Sequence, residues 1–495
     1  FSLMPWRIRV NGLNIGWTAT EGEHGVQTAP GEDEHWLAAS EASRPLGRLL
    51  RPVDMASLAA CRVLFGLSMC VSALRLIGEG WVREFFIQPR FFFKYWGFEW
   101  VQPFSPSAMH AFVWLLGGLG LLVAIGFCFR VAAGLFVVGF TYLQLIDVST
   151  YLNHYYLATL LGLLLAISPA HAAASADAAI EPALRRQQVP TAWLYLFRFQ
   201  VGLVYTFAGL AKAHADWLLR AQPLSIWLGA HTDLPVLGPL FALEWMPLAM
   251  SWAGFLFDTT IIWWLLWSKT RPFAFVAVIG FHAVTSLLFP IGMFPVIMIV
   301  SALVFFPPDW ARRVLGRALL PAEVGPRCEP SAGAARRRTA ITALAAAFCL
   351  AQLALPLRYL AYGGNVRWHE QGMRFSWRVM VREKNGSVTY VVRQRQTGRV
   401  WHVSPSRYLT ARQEREMSSQ PDLILQLAHH IEADFEAEGR GPVEVRVDAK
   451  ASLNGRASAP LVDPRVDLST ISDGIGKASW ILAGPSTPAP RIHPI

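Results

Sequence analysis

The sequence predicts a polytopic α-helical membrane protein of about nine spans, followed by a C-terminal β-rich extramembrane domain. Three observations lead there. Of the 495 residues, 53% are hydrophobic and only 16% are charged, against about 25% in an ordinary soluble domain. Apolar runs of roughly spanning length recur up to about residue 360. Beyond it, strand alternation broken by Gly-containing turns takes over.

The elements follow in order. Residues 1–54 are too polar for a signal peptide and read as a cytoplasmic N-terminal segment. Residues 55–308 form the transmembrane helical core, with spans near 55–77, 108–128, 131–148, 154–170, 192–212, 245–267, 272–290 and 292–307. Between the first two, "REFFIQPRFFFKYWGFEW" is aromatic and charged and reads as interfacial, as does 213–244. Residues 309–337 form a basic cytoplasmic loop and 338–360 the last span. The external domain covers 361–482, and 483–495 is a Pro-rich tail expected to be disordered. Within the domain, "MRFSWRVMVREKNGSVTYVVRQRQTGRVWHV" predicts a β-meander with turns at Asn385-Gly386 and Thr397-Gly398. A helix near 410–438 follows, then a strand in "PVEVRVDAKASLNG". No internal repeat is evident.

The formal net charge of +10 belongs to membrane orientation and not to nucleic acid. Arg7, Arg9, Arg44, Arg48, Arg51, Arg130, Arg185, Arg186, Lys269, Arg271 and a cluster from Arg312 to Arg338 fall on one side. That side is assigned to the cytoplasm. Nine crossings then put the C-terminal domain outside. The five cysteines show no CxxC or Cys/His spacing, so no metal is expected.

Ionisable residues inside spans are costly, and each is a functional hypothesis. They are Arg62, Arg75, Asp147, His154, Arg198, Lys212, Asp258 and His282. Arg62, Arg75 and Arg198 are expected to pair with Asp147 or Asp258. Asn153, His154, Lys212 and His282 stand apart because the topology lets them meet in the outer half of the bundle. Only six of the 44 basic residues are lysine, so a lysine where arginine would serve invites a chemical reason. A neutral amine in a dry pocket is a general base, a role closed to arginine. The plainer alternatives are a snorkelling Lys212 facing Asp216 and histidines that only hydrogen-bond in the packing. Two imidazoles and an amide can hold the oxygens of a small, weakly acidic ring compound arriving from lipid, and a quinol fits.

In "CRVLFGLSM", "YLNHYYL", "AGLAKAHADW", "FHAVTSLLFPIGMF", "FSWRVMV" and "DPRVDL", taken in order, the chain resembles the vitamin K-dependent γ-glutamyl carboxylases and their bacterial relatives with the same HTTM-type membrane domain. The resemblance implies an enzyme that couples epoxidation of vitamin K hydroquinone by O2 to removal of a glutamate γ-proton and addition of CO2. It implies a reduced vitamin K of phylloquinol or menaquinol type, O2 and CO2 as co-substrates, no metal, and a Glu-containing exported protein or peptide as partner. Lys212 matches the family's catalytic lysine, and Asn153 and His154 match its asparagine–histidine pair near the quinone oxygens. His282 matches a second pocket histidine, and Phe289, Met293 and Phe294 fall in the adjoining segment. Trp368, Ser376 and Trp377 match positions near the glutamate site. Arg382 stands where the family has a histidine, and Met373 where it has a tyrosine.

Arginine bias and the lack of disulfide-forming cysteines point to a bacterial cytoplasmic membrane. Two other readings stand beside the carboxylase. One is a quinol-oxidising membrane enzyme with a different or no peptide substrate. The other is a non-catalytic transporter or scaffold, against which the missing inverted repeat counts.

Overall fold

A computed structural model describes residues 51–316 and 334–491, together with residue 49. The N-terminal segment up to residue 48, residue 50, the loop stretch 317–333 and residues 492–495 lie outside the described residues.

The membrane half is built from α1 (Ala56–Gly78), α2 (Pro106–Ile125), α3 (Phe129–Leu145), α4 (Asn153–Ile167), α5 (Ala192–Lys212), α6 (Met246–Leu266), α7 (Arg271–Leu288) and α8 (Phe294–Ala302), with α9 (Ala334–Leu357) after the loop. Among the described residues, six helices are long and apolar enough to cross a membrane: α1, α2, α5, α6, α7 and the stretch Thr339–Ala361 that contains most of α9. The apolar helices Phe129–Leu145, Asn153–Ile167 and Phe294–Phe305 are shorter. The chain is a multi-pass membrane protein, and the expected nine spans become six of full length and three short helices.

Successive helices pack in pairs, α1 on α2, α3 on α4, α5 on α6 and α7 on α8. Lipid tails are as apolar as leucine, so close backbone approach has to supply the attraction. In α1 a Cβ on Gly66 would lie 2.5 Å from both Gly120 O and Ala124 N of α2. No residue but glycine fits there.

Arginine answers a second demand of the bilayer. The last carbonyls of a helix have no partner within the helix, and lipid offers none. Arg62 Nη1 donates to Val123 O at 2.9 Å and Ala124 O at 2.7 Å, at the end of α2. Arg130 Nη1 donates to Ala166 O and Ile167 O, both at 3.1 Å, at the end of α4. Arg271 takes Leu265 O at 2.8 Å and Leu266 O at 3.0 Å at the end of α6. Arg198 takes Val304 O at 2.9 Å and Phe306 O at 3.3 Å, just past α8. The expected pairing of Arg62 and Arg198 with aspartates is therefore corrected: they cap helices. Arg75 lies 5.6 Å from the Trp81 ring centre.

The C-terminal domain holds a four-stranded antiparallel sheet in the order β4-β3-β5-β6. Its strands are β3 (Lys384–Gln394), β4 (Val400–Val403), β5 (Val443–Leu453) and β6 (Ala459–Pro460), while β1 (Pro52–Asp54) and β2 (Gln188–Pro190) form a separate ribbon. In β5, Val443, Val445, Val447, Ala449, Ala451 and Leu453 alternate inward. They share a core with Leu423, Ile424, Leu427, Ile431 and Phe435 of α11 (Pro421–Ala437), which follows α10 (Ala411–Met417). Thr397-Gly398 falls in the β3–β4 connection, as expected. Asn385-Gly386 does not turn; it lies inside β3, paired with Ser452 and Ala451. The glycine serves close approach instead, since a Cβ there would lie 2.0 Å from Ser418 O. The preceding stretch is not a strand either, because Phe375, Trp377 and Met380 all adopt positive φ.

The two halves are bound closely. Phe93 of the aromatic stretch is fully buried in the C-terminal core. Gln426 exchanges hydrogen bonds with the Lys94 backbone at 2.8 and 2.9 Å. Gln413 Nε2 donates to Asp147 Oδ2 at 2.8 Å, the acid once expected to meet an arginine. Trp96 and Trp100 remain exposed, as interfacial rings should. The tail expected to be disordered is seated as far as residue 491: Thr487 O accepts from Arg456 Nε at 2.7 Å, and Ala489 is buried.

Gly66→Ala is expected to destabilise the protein by roughly 1–3 kcal/mol through overpacking. Gly78→Ala, where a Cβ meets nothing within 4 Å, is the control. Thermal melting in detergent compares them.

Candidate functional site

One turn before the end of α5, a Cβ on Gly209 would lie 2.6 Å from Thr259 Cγ2 and 3.0 Å from Thr259 N. Glycine thus lets α5 and α6 converge at this level. The convergence sets Lys212 Nζ 2.7 Å from Asp258 Oδ2, with each residue 5% exposed. A second bond runs from Nζ to Ala208 O at 3.3 Å, and the Trp217 ring centre lies 5.4 Å away. Lys212 therefore does not snorkel toward Asp216. That acid is held by Arg456, at 2.6 and 2.8 Å, and by Asn454 at 2.9 Å.

Lys212 and Asp258 line a largely apolar cavity of about 300 Å³, near the lower bound of the usual range for small-molecule sites. Tyr205, Phe281, His282, Phe289, Phe294 and Met380 also line it. Tyr205 Oη and His282 Nε2 are 2.9 Å apart, and His282 Nδ1 is buried without a partner.

Of the residues singled out in the sequence, Lys212, His282, Phe289 and Phe294 meet around this cavity. His154 is buried behind Phe294, whose ring centre is 5.9 Å from His154 and 5.7 Å from His282. Asn153 is not at the cavity: its Oδ1 accepts from Tyr151 Oη at 3.0 Å, and Tyr151 Oη accepts from Phe375 N at 2.7 Å. Met293 is packed in the core beside the lining. Trp368 belongs to the C-terminal core, with Nε1 on Leu482 O at 2.8 Å. Ser376 gives its hydroxyl hydrogen to Met373 O, and Trp377 stacks on Tyr156 with ring centres 5.1 Å apart. Arg382 is bound to Glu370 at 2.7 Å. The other oxygen of Glu370 takes Lys384 at 3.0 Å, and burial pushes the Lys384 ammonium down to about 8 against the pull of Glu370.

Two members of the site were misread or unseen in the sequence. Asp258 stood there only as a packing charge, because nothing in a sequence says which helix faces which. Tyr205 was unremarked, though it lies seven residues before Lys212 and hence on the same helix face.

Just past Lys212, His214 caps the short helix Ala215–Arg220, its Nδ1 accepting from Trp217 N at 3.3 Å. Burial first, then the nearby Arg367, push its imidazole down to about 3.

Fold and cavity together define a multi-pass membrane protein with an amine–carboxylate pair in the wall of an apolar chamber and a mixed α/β domain docked beside it. Residues 50–310 match the family model of the HTTM domain, and residues 337–487 match that of the vitamin K-dependent gamma-carboxylase, lumenal domain. No solved structure matches the chain. With the two matches in tandem, the chain belongs to the vitamin K-dependent gamma-carboxylase family.

Removing one partner of a buried pair strands the other charge. Lys212→Met or Asp258→Leu alone is expected to cost about 3–5 kcal/mol, and the double variant less than either. Melting of the three variants checks this. His214 supplies a pH signature. The folded state keeps it neutral, while the unfolded chain protonates near 6.5, so stability is lost as pH falls from about 6.5 toward about 3. In His214→Asn, which keeps a capping side chain, the drop in melting temperature between pH 6.5 and 4.5 should shrink.

Proposed function

We propose that the protein is a vitamin K hydroquinone-dependent γ-glutamyl carboxylase of a bacterial cytoplasmic membrane, with its C-terminal domain outside. The observation that carries this reading is the Lys212–Asp258 pair in the wall of the apolar cavity, opposite no other acid among its lining residues. The family supports vitamin K-dependent carboxylase function in general terms. The residues present suit a ring with two hydroxyls: His282 has an unpartnered buried Nδ1, and phenylalanines supply flat apolar contacts. Bound there, a reduced vitamin K of phylloquinol or menaquinol type supplies, on oxidation by O2, the strong base that removes a glutamate γ-proton before CO2 adds.

The chain's own residues have distinct tasks in this proposal. Lys212 first passes its own proton to Asp258 across their 2.7 Å hydrogen bond, and the neutral amine then takes the ring hydroxyl proton. Asp258 also holds the amine in place, a positioning role that the sequence alone did not suggest. His282 Nδ1 offers a hydrogen bond to a ring oxygen while Tyr205 engages Nε2. Phe281, Phe289 and Phe294 keep water from the reacting atoms. His154 lies behind Phe294 and acts by positioning that ring.

The test is turnover of reduced vitamin K by the purified full chain in O2, with labelled CO2 and a Glu-containing peptide. Lys212→Arg keeps the charge and removes the base, and is expected to lower turnover by about 10²-fold or more. Lys212→Arg protein turning over at the wild-type rate would count against the reading. Quinol turnover without label in the peptide would leave quinol oxidation with another output.

A further inference from the structure

The residues that the resemblance offers for glutamate are already engaged in this chain. Arg382 is bound to Glu370, Ser376 donates to Met373 O, and Trp368 packs in the domain core. A different set of side chains, next in sequence to cavity-lining residues or charged neighbours of these, has buried donor nitrogens with no partner. His214 Nδ1 accepts from Trp217 N, so a neutral ring carries its hydrogen on Nε2, and that atom is buried without an acceptor. Nε of Arg367 and Nε of Arg378 are likewise buried and unpartnered. The charges of both arginines bear on the His214 ring, and they bear on each other. The Arg378 guanidinium is fixed 4.1 Å over the Tyr359 ring. The residues that follow it, Val379 and Met380, line the cavity.

The local charge balance points the same way. Lys212 is answered by Asp258, and Arg456 by Asp216. Asp216 also bears on Arg367 and His214, but Arg456 and Asn454 already hold its oxygens, and among the described residues neither Arg367 nor Arg378 has a carboxylate in salt-bridge contact. Buried donors without acceptors are rare in folded proteins, and three on groups whose charges bear on one another suit an anion with several acceptor lone pairs.

We propose that His214, Arg367 and Arg378 form a carboxylate-binding site beside the cavity, and that it takes the side-chain carboxylate of a glutamate in the peptide substrate. This rests on the functional reading above and moves its glutamate subsite to residues that the resemblance did not supply. The site does more than anchor. As the Cγ–H bond breaks, the proton leaves to the base and the electron pair spreads onto the carboxylate oxygens. The N–H donors stabilise that gain of charge. The new C–C bond to CO2 then gives a product with two carboxylates, matched by two guanidiniums.

The experiment measures binding of a fluorescent Glu-containing peptide to the full chain, without quinol, against the same peptide with Gln in place of Glu. Wild-type protein is expected to prefer the Glu peptide by about tenfold or more, and Arg367→Gln/Arg378→Gln to lose that preference. Arg367→Lys/Arg378→Lys keeps charge without the planar fork and should retain only part of it. Equal binding of both peptides by wild-type protein, or an undiminished preference in the Gln variant, overturns the site. Should that variant not fold, displacement from wild-type protein by glutarate but not by glutaramide supports the site, and equal displacement by both overturns it. Quinol turnover without Glu preference overturns this inference alone, whereas Glu preference without quinol turnover supports the site and overturns the functional reading.

Discussion

The Lys212 ammonium and the Asp258 carboxylate meet at 2.7 Å where neither is reached by much water. In such surroundings each group is tolerable only because of the other. The pair therefore fixes more than a local contact. It sets the level at which α5 and α6 meet, and Gly209 is what allows them to come that close. α5 stops at Lys212, and the chain just beyond it supplies the His214 cap and then Asp216. Arg456 and Asn454 of the C-terminal domain grip that aspartate, and Arg456 in turn holds the tail through Thr487 O. One line of charges thus runs from the membrane half into the soluble half.

The division of labour between the basic residues follows from their shapes. A guanidinium is a planar fork that spans two neighbouring carbonyls, which is the pattern left open at a helix C-terminus. Arg271 bridges two successive carbonyls in this way and Arg198 two nearly adjacent ones, while Arg62 and Arg130 each reach two successive carbonyls from Nη1 alone. The helices so finished are α2, α4, α6 and α8. They alternate along the chain, and each of their ends is met by an arginine. The positive charge usually treated as an orientation signal is here also the material from which helix ends are completed. At Lys212 the chain instead places lysine, a compact charge on a flexible stem, where a proton has to come and go in the proposed chemistry.

Much of the architecture was legible because lipid imposes simple rules. The apolar runs placed the helices to within a few residues, and the change of periodicity after α9 placed the sheet. Reading failed where the deciding contact was distant in sequence. Asn385-Gly386 has the composition of a turn, yet the partner strand β5 and the nearby Ser418 backbone hold it extended. The tail beyond residue 482 has the composition of a disordered segment, yet Arg456 and Gln222 bind it. The site divides in the same way. Lys212 and His282 could be named from their cost inside apolar segments. Asp258 as the partner of Lys212, and the unpartnered donors of Arg367 and Arg378, depend on which helices and loops come to lie side by side. No spacing rule contains that information.

Among the long apolar helices, α9 is the least enclosed, with only 11% of its apolar window buried. One polar link to the bundle is the bond between Gln352 and Tyr156. The domain that it carries is seated by other means, through Phe93, the Lys94–Gln426 exchange and the Asp216–Arg456 pair. The helix thus behaves as a leash and not as a wall. The polypeptide should accordingly tolerate being divided within 317–333, the two fragments reassembling in one membrane when co-expressed.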